Sequence, residues 1–186
     1  MEFGDIFFVD FRRKQSYNFP KGGHEMEYFT QYDSPVGTLL LTSDGESLTG
    51  LWMDREAPAR GIEDAGHLVL RRAGEWLDTY FAGENPALDI PMSPRGTPFQ
   101  QMVWKILLTI PFGQTRTYGD IAREVAALLG KEKMSAQAVG GAVGSNPISI
   151  LIPCHRVVGA KGQLTGYAWG LERKAWLLRH EGWEGL

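Results

Sequence analysis

The chain of 186 residues is 43% hydrophobic and 11% aromatic, enough to bury the core of one ordinary domain or two small ones and unlike a disordered chain. Its single cysteine excludes an intrachain disulfide framework and a cysteine-rich zinc site, and fits a reducing interior. The net charge of −3 hides an asymmetry: residues 1–94 carry 8 Lys and Arg against 16 Asp and Glu, and residues 95–186 carry 11 against 6. The first half repels a polyanion such as DNA and the second attracts it, unless two domains merely differ in surface charge.

Residues 1–25 show no period and read as an N-terminal arm of uncertain role. Asp5 and Asp10 interrupt its apolar residues and it lacks a basic start, so no secretory signal is expected. No apolar run approaches the roughly 20 residues of a membrane span. A soluble, cytoplasmic protein is the expectation. Residues 26–84 read as an α/β domain. EYFTQYD, TLLLTSDG and SLTGLWMD are strand-like and separated by Pro-x-Gly and Asp-Gly punctuation, an antiparallel meander. Residues 65–84 follow as a helix with Leu70, Ala73, Leu77 and Phe81 at helical spacing. His24 and His67 stand alone, as surface or packing residues rather than metal ligands. Residues 85–96 belong to a stretch with four prolines over 85–98 and read as a linker.

Residues 97–186 form the second expected domain. Thr97-Pro98-Phe99-Gln100 opens a helix with a cap, a first-turn proline and a capping box. Phe99, Val103, Ile106 and Leu107 make its buried stripe, Trp104 joins the core, and Pro111 and Gly113 end it. Two short helices, 117–130 and 135–146, flank the polar turn KEKM. A helix-turn-helix in a basic half-chain suits nucleic acid, although many helical hairpins bind nothing. The second helix turns Val139, Ala142 and Val143 inward and Gln137, Gly140, Gly141 and Gly144 outward. Three glycines on an exposed face weaken a helix but let a partner approach its backbone. The partner is either a DNA groove that is not decoded base by base, the minor groove being the one that fits, or another helix.

The apolar run ISILI leads to Pro153-Cys154-His155-Arg156. Free cysteine is among the most buried residue types, and a thiol with a free pKa near 8.5 needs help to act as a nucleophile, so core residue and nucleophile both stay open for Cys154. The last helix, 170–182, has Leu171, Ala175 and Leu178 as its core stripe and Gly182 as its stop. Glu181 falls in its final turn, where the dipole disfavours an anion, so either a cation or imidazole is near or the side chain is simply exposed.

Asn146-Pro147, Ile152 to Gly159 around Pro-Cys-His-Arg-Val, Gly166-Tyr167 and Gly170-Leu171-Glu172-Arg173-Lys174 together resemble the O6-alkylguanine-DNA alkyltransferases (methylated-DNA–protein-cysteine methyltransferases), over about Glu27 to Gly182. The resemblance implies an α/β (α+β) fold: a small ribonuclease H-like domain with an antiparallel sheet, then a winged-helix-like DNA-binding domain. It implies irreversible, single-turnover DNA repair, in which Cys154 takes the alkyl group of a guanine flipped out through the minor groove, with weaker action on O4-alkylthymine. Cys154, His155, Glu181, Tyr118 and Asn146 would be the catalytic set. His155 and Glu181 would relay the thiol proton through a water. Tyr118 would crowd the DNA backbone and hydrogen-bond the departing guanine, and Asn146 would brace the turn. Gln137, Ala136, Gly140, Gly141, Arg156, Val157, Tyr167, Ala168 and Trp169 would meet DNA or substrate, with the carbonyls of Cys154 and Val157 accepting from the guanine amine.

No cofactor or metal is implied, and the zinc site that some relatives build from N-terminal cysteines cannot form here. The expected partner is double-stranded DNA containing O6-alkylguanine, bound by a monomer, with cooperativity along DNA left open. Two positions depart from the family pattern. Gln137 stands where an arginine usually fills the gap left by the flipped base, and Trp169 stands where many relatives have Gly. The KEKM turn is also a few residues longer than in most relatives. A non-enzymatic lesion binder that recruits other factors is the first rival, and a cysteine hydrolase of other ancestry the second.

Overall fold

The structure, a computed structural model, describes residues 27–185. The arm expected over residues 1–25 lies outside the described residues.

Strands β1 (Tyr28–Ser34), β2 (Gly37–Ser43) and β3 (Leu48–Met53) form the expected antiparallel meander, with Tyr32 opposite Leu39 and Leu41 opposite Leu51. A two-residue strand that the sequence pattern did not reveal, β4 (Ile62–Glu63), pairs parallel to β1. The sheet order is β3-β2-β1-β4. Helix α1 (Leu68–Phe81) lays Leu70, Ala73 and Leu77 against the sheet and leaves Phe81 half-buried. Tyr80, the next i+3 step along that stripe, is fully buried.

β3 is an edge strand, and its free edge is where the two halves of the molecule join. The stretch expected as a linker runs along it: Leu48 N donates to Pro91 O at 2.8 Å and Ser93 N to Leu48 O at 2.9 Å, and Ile90 and Met92 are buried. Further along the same edge, Leu51 N donates to Pro147 O at 2.9 Å and Ser149 N to Leu51 O at 3.3 Å. An exposed strand edge is a liability, and here it is covered by the loop that leads to Cys154.

The C-terminal half is helical. In α2 (Pro98–Leu107) the full capping box forms between Thr97 and Gln100, and Val103, Trp104, Ile106 and Leu107 are buried. The two-residue strand β5 (Arg116–Thr117) precedes α3 (Tyr118–Leu128), which carries its own capping box between Thr117 and Asp120. Helix α4 (Ala136–Gly144) is capped by Ser135 and buries Val139, Ala142 and Val143. Trp104 Nε1 donates to Ala142 O at 2.7 Å and Gln100 Nε2 to Ser145 Oγ at 2.8 Å, so α2 holds α4 from its inner side. Gln137, Gly141 and Gly144 remain exposed. A single 3₁₀ turn, Cys154–Arg156, leads to β6 (Val157–Val158), which pairs parallel with β5, and α5 (Leu171–His180) closes the chain. One continuous apolar core runs through both halves. No helix among the described residues is long and apolar enough to cross a membrane.

Candidate active site

Cys154 ends a loop that is tied down at almost every residue. Asn146 Nδ2 donates across the loop to Ile152 O at 2.8 Å, while its Oδ1 accepts from Ile148 N at 3.0 Å. Leu51 holds the loop from outside, and Ser149 and Ile152 bridge within it. Ile150 is thereby kept at φ 69°, a left-handed backbone that costs a β-branched residue about 1–3 kcal/mol. The strain persists because burial and the Asn146 clamp over-determine the loop.

The thiol is 5% exposed and points its Sγ toward Ser149 Oγ at 3.9 Å. Burial pushes its pKa up; hydrogen bonds from Asn146 and Ser149 and the charge of Lys174 oppose that rise. The side chain is therefore a guarded thiol that needs a base.

Behind it stands a saturated carboxylate. Glu181, at the C-terminal end of α5, is buried and accepts five hydrogen bonds. Oε1 takes His155 Nε2 at 2.6 Å, Tyr80 Oη at 2.9 Å and Arg156 Nη2 at 3.0 Å; Oε2 takes Arg156 Nε at 2.8 Å and Gly113 N at 3.1 Å. Burial alone would raise its pKa, but the hydrogen bonds from His155 and Arg156 and the Arg156 charge outweigh burial and hold the carboxyl well below the usual range. The anion that a helix C-terminus disfavours is thus stabilised by its neighbours. Gly113 must be glycine: its φ is 73°, and a Cβ there would come within 2.7 Å of Glu181 O.

His155 is fully buried, which lowers its pKa, with Glu181 pulling the other way. The resting ring is neutral. With Nε2–H donating to Glu181, the Nδ1 lone pair is left to accept a proton, and among the described residues Nδ1 has no protein partner. A Glu–His pair that fixes the tautomer beside a nucleophile can act as its base.

A cavity of about 100 Å³ opens onto Cys154, lined by Asn146, Ser149, the Val143–Ser145 end of α4, the loop Gly166–Trp169 and Trp52 of β3. Tyr167, Ala168 and Trp169 stand where the resemblance expects a pocket wall, with Trp169 half-buried and edge-on to Tyr167 at 5.7 Å. Tyr118, the first residue of α3, donates its hydroxyl to Gly166 O at 3.1 Å, which ties α3 to the pocket loop. Gly140 lies against the Tyr118 ring, whereas Ala136, Gln137 and Gly141 are on the open face of α4.

One expected contact is corrected by the geometry. Arg156 does not face DNA or substrate: it is buried, clamps Glu181 and donates Nη1 to Ile110 O at 2.6 Å, because a buried carboxylate needs a buried cation. Val157 is fully buried and its carbonyl accepts from Lys174 Nζ, leaving one lone pair for any guanine amine.

Three contributors were missed in the sequence. Lys174 is completely buried and also donates to Thr165 O at 2.8 Å, binding the pocket loop to α5. Burial brings its pKa down to about 8, opposed by the nearby thiol. Tyr80 was findable as the continuation of the α1 stripe. Trp52 had no local signal, since only the pairing of β3 with the Cys154 loop brings it to the pocket.

A helix-turn-helix and a guarded thiol followed in the chain by a Glu-paired histidine define the class, a helical domain of the kind that faces nucleic acid carrying a cysteine with a base at hand. Comparison with known proteins makes that class specific. Residues 98–183 match the family "6-O-methylguanine DNA methyltransferase, DNA binding domain" and residues 27–94 match "6-O-methylguanine DNA methyltransferase, ribonuclease-like domain". The methylated-DNA–protein-cysteine methyltransferase of Mycobacterium tuberculosis is 46% identical over 158 residues, 84% of this chain and 93% of its own length. That of Methanosarcina acetivorans is 44% identical over 160 residues, covering 83% and 98%. The fold is similar to that of Mycobacterium tuberculosis OGT solved in complex with DNA, with TM-score 0.74 and 46% identity over 83% of this chain and 92% of that one. The chain belongs to the 6-O-methylguanine DNA methyltransferase family. Its fold is the mixed α/β arrangement of that family, an antiparallel-sheet domain followed by a helical DNA-binding domain.

Proposed function

We propose that this chain is a methylated-DNA–protein-cysteine methyltransferase that repairs DNA by taking the alkyl group from O6 of guanine onto Cys154 Sγ. The observation that carries the reading is the neutral His155, fixed by Glu181 with Nδ1 left to accept, next in the chain to a cysteine at the floor of a cavity. The thiol proton passes to His155 Nδ1 through a water, which costs little because Glu181 stabilises the imidazolium that forms. The thiolate attacks the alkyl carbon; the S–C bond forms as the C–O6 bond breaks, and its electrons leave on the guanine, which takes up a proton to become an ordinary base. A thioether is not readily hydrolysed, so each molecule acts once.

The base reaches the cavity by flipping out of the stack, since the O6 substituent is otherwise shielded. The glycine face of α4 fits against the minor groove and admits close backbone approach. Gln137 supports the orphaned cytosine by hydrogen bonding, with shorter reach and no charge compared with an arginine. Trp169 narrows the cavity and disfavours a benzyl substituent while leaving methyl accepted. Trp169→Gly is expected to speed reaction with O6-benzylguanine; an unchanged rate would mean the ring points away.

The test is incubation with a duplex carrying O6-methylguanine, followed by mass spectrometry of the Cys154 peptide. One methyl group per protein, absent in Cys154→Ser, supports the reading. Binding without modification would favour a lesion binder that recruits other factors, and many turnovers a hydrolase.

A further inference from the structure

Two cavities of this molecule meet at one side chain. The cavity over Cys154 is about 100 Å³, and on the outer face of the N-terminal sheet lies a groove of about 520 Å³ between Thr42, Thr49, Arg55 and Pro58. Trp52 lines both, and it is the one residue common to the two linings.

Its place is set from three sides. Leu51, the preceding residue, exchanges backbone hydrogen bonds with Pro147 and Ser149, so β3 is locked in register to the loop that ends in Cys154. The indole lies across Gly50, where a Cβ would fall 2.0 Å from Trp52 Nε1, so a side chain at 50 would displace it. On the ring itself sits the Arg55 guanidinium, 4.2 Å from its centroid. Trp52 is half-buried and its strand is held, so the indole is a fixed wall with space behind it.

Apart from the Gly166–Trp169 loop, whose Trp169 narrows the same cavity, the other walls have no such space. Asn146 and Ser149 belong to a loop pinned by its own hydrogen bonds, and the floor beneath Cys154 is packed core. An alkyl carbon in line with Sγ carries any longer substituent away from the sulfur and into the cavity walls. We propose that Trp52 is a specificity-determining residue for the alkyl group: its indole closes the thiol pocket toward the sheet groove and so, together with Trp169, limits the O6 substituent the protein accepts. Shortening it joins pocket and groove and admits an aromatic or extended alkyl group. The inference rests on the alkyl-transfer reading above, and it gives the N-terminal domain a part in substrate choice.

Trp52→Ala and Trp52→Phe in the full chain, reacted with duplexes carrying O6-methylguanine or O6-benzylguanine, provide the test. The readout is the ratio of second-order rates of Cys154 alkylation, benzyl over methyl, followed by intact mass. Trp52→Ala is expected to raise that ratio about tenfold, the scale at which pocket size discriminates substrates, and Trp52→Phe by less. A ratio that stays level overturns the proposal, because a merely structural role slows both substrates together. If Trp52→Ala does not fold, Trp52→Phe, which keeps an aromatic ring in the packing, decides by the same ratio. Failure of the underlying reading is separate: the unaltered protein would gain no mass from the O6-methylguanine duplex.

Discussion

Glu181 and Gln137 belong to the same domain and live under opposite conditions. The carboxylate is buried and takes five hydrogen bonds from four residues, two of them, Tyr80 and Gly113, far away in the chain. The amide stands exposed on a helix whose outer face is otherwise glycine and alanine. One region is satisfied within the fold, and the other is open to a partner. In the proposed mechanism the difference divides the work: groups that move a proton are preorganised at the expense of desolvation, and groups that meet DNA are left for DNA to order.

The comparison breaks most readily at Arg156. Arg156→Met leaves Glu181 buried with its charge uncompensated, and loss of about 3–5 kcal/mol in urea unfolding is expected. A loss below about 1 kcal/mol would mean that the carboxylate is not held as a charge. Asn146→Ala removes two buried hydrogen bonds at 2.8 and 3.0 Å from the strained Cys154 loop. About 1–3 kcal/mol of stability and a marked fall in methyl transfer are expected, read by unfolding and by the rate of Cys154 methylation. Equal rates would show that the loop keeps its shape without the clamp.

A finer probe of the buried region is pH. Protonated His155 cannot accept the thiol proton, and burial lowers its pKa below the ordinary 6.5. The acid limb of the methyl-transfer rate is therefore expected below pH 6.5; a midpoint at or above that value would contradict a neutral, buried imidazole. On the open face, Gln137→Arg is expected to change stability by no more than about 0.5 kcal/mol, as surface substitutions do. It is expected to speed duplex repair and to steepen the salt dependence of DNA binding by about one unit of slope. Repair no faster than in the parent would leave Gln137 without the role proposed for it.

Much of the fold was legible because its signals are local. The alternation of β1 to β3, the Thr97 capping box, the α1 stripe and the inward face of α4 each follow from spacing within a dozen residues. β4 was not legible, since two residues carry no period and pair only because β1 offers an edge. The prolines over 85–98 suggested a linker but not that it is held along β3: a proline carbonyl still accepts, and Pro91 O accepts from Leu48 N. At the site, Cys154 and His155 stood out in their motif. The resemblance implied a DNA or substrate contact for Arg156, because a motif shows a charge and not its partner. Glu181 was named, yet whether its carboxylate was exposed or paired could not be told from α5 alone.

Sequence by itself determined the two-part architecture, the helix-turn-helix with a glycine face, and the motif around a single cysteine, all properties of neighbours along the chain. Tertiary structure decided what the neighbours across the chain are. It gave Glu181 the hydroxyl of Tyr80 from 101 positions away, turned Arg156 inward to hold that carboxylate, buried Lys174 against the pocket loop, and set Trp52 beside the thiol. The physical reason is that helix and strand periods specify which face of an element is buried. Which groups meet on that face depends on how the free edge of β3 is covered, and the loop before Cys154 covers it.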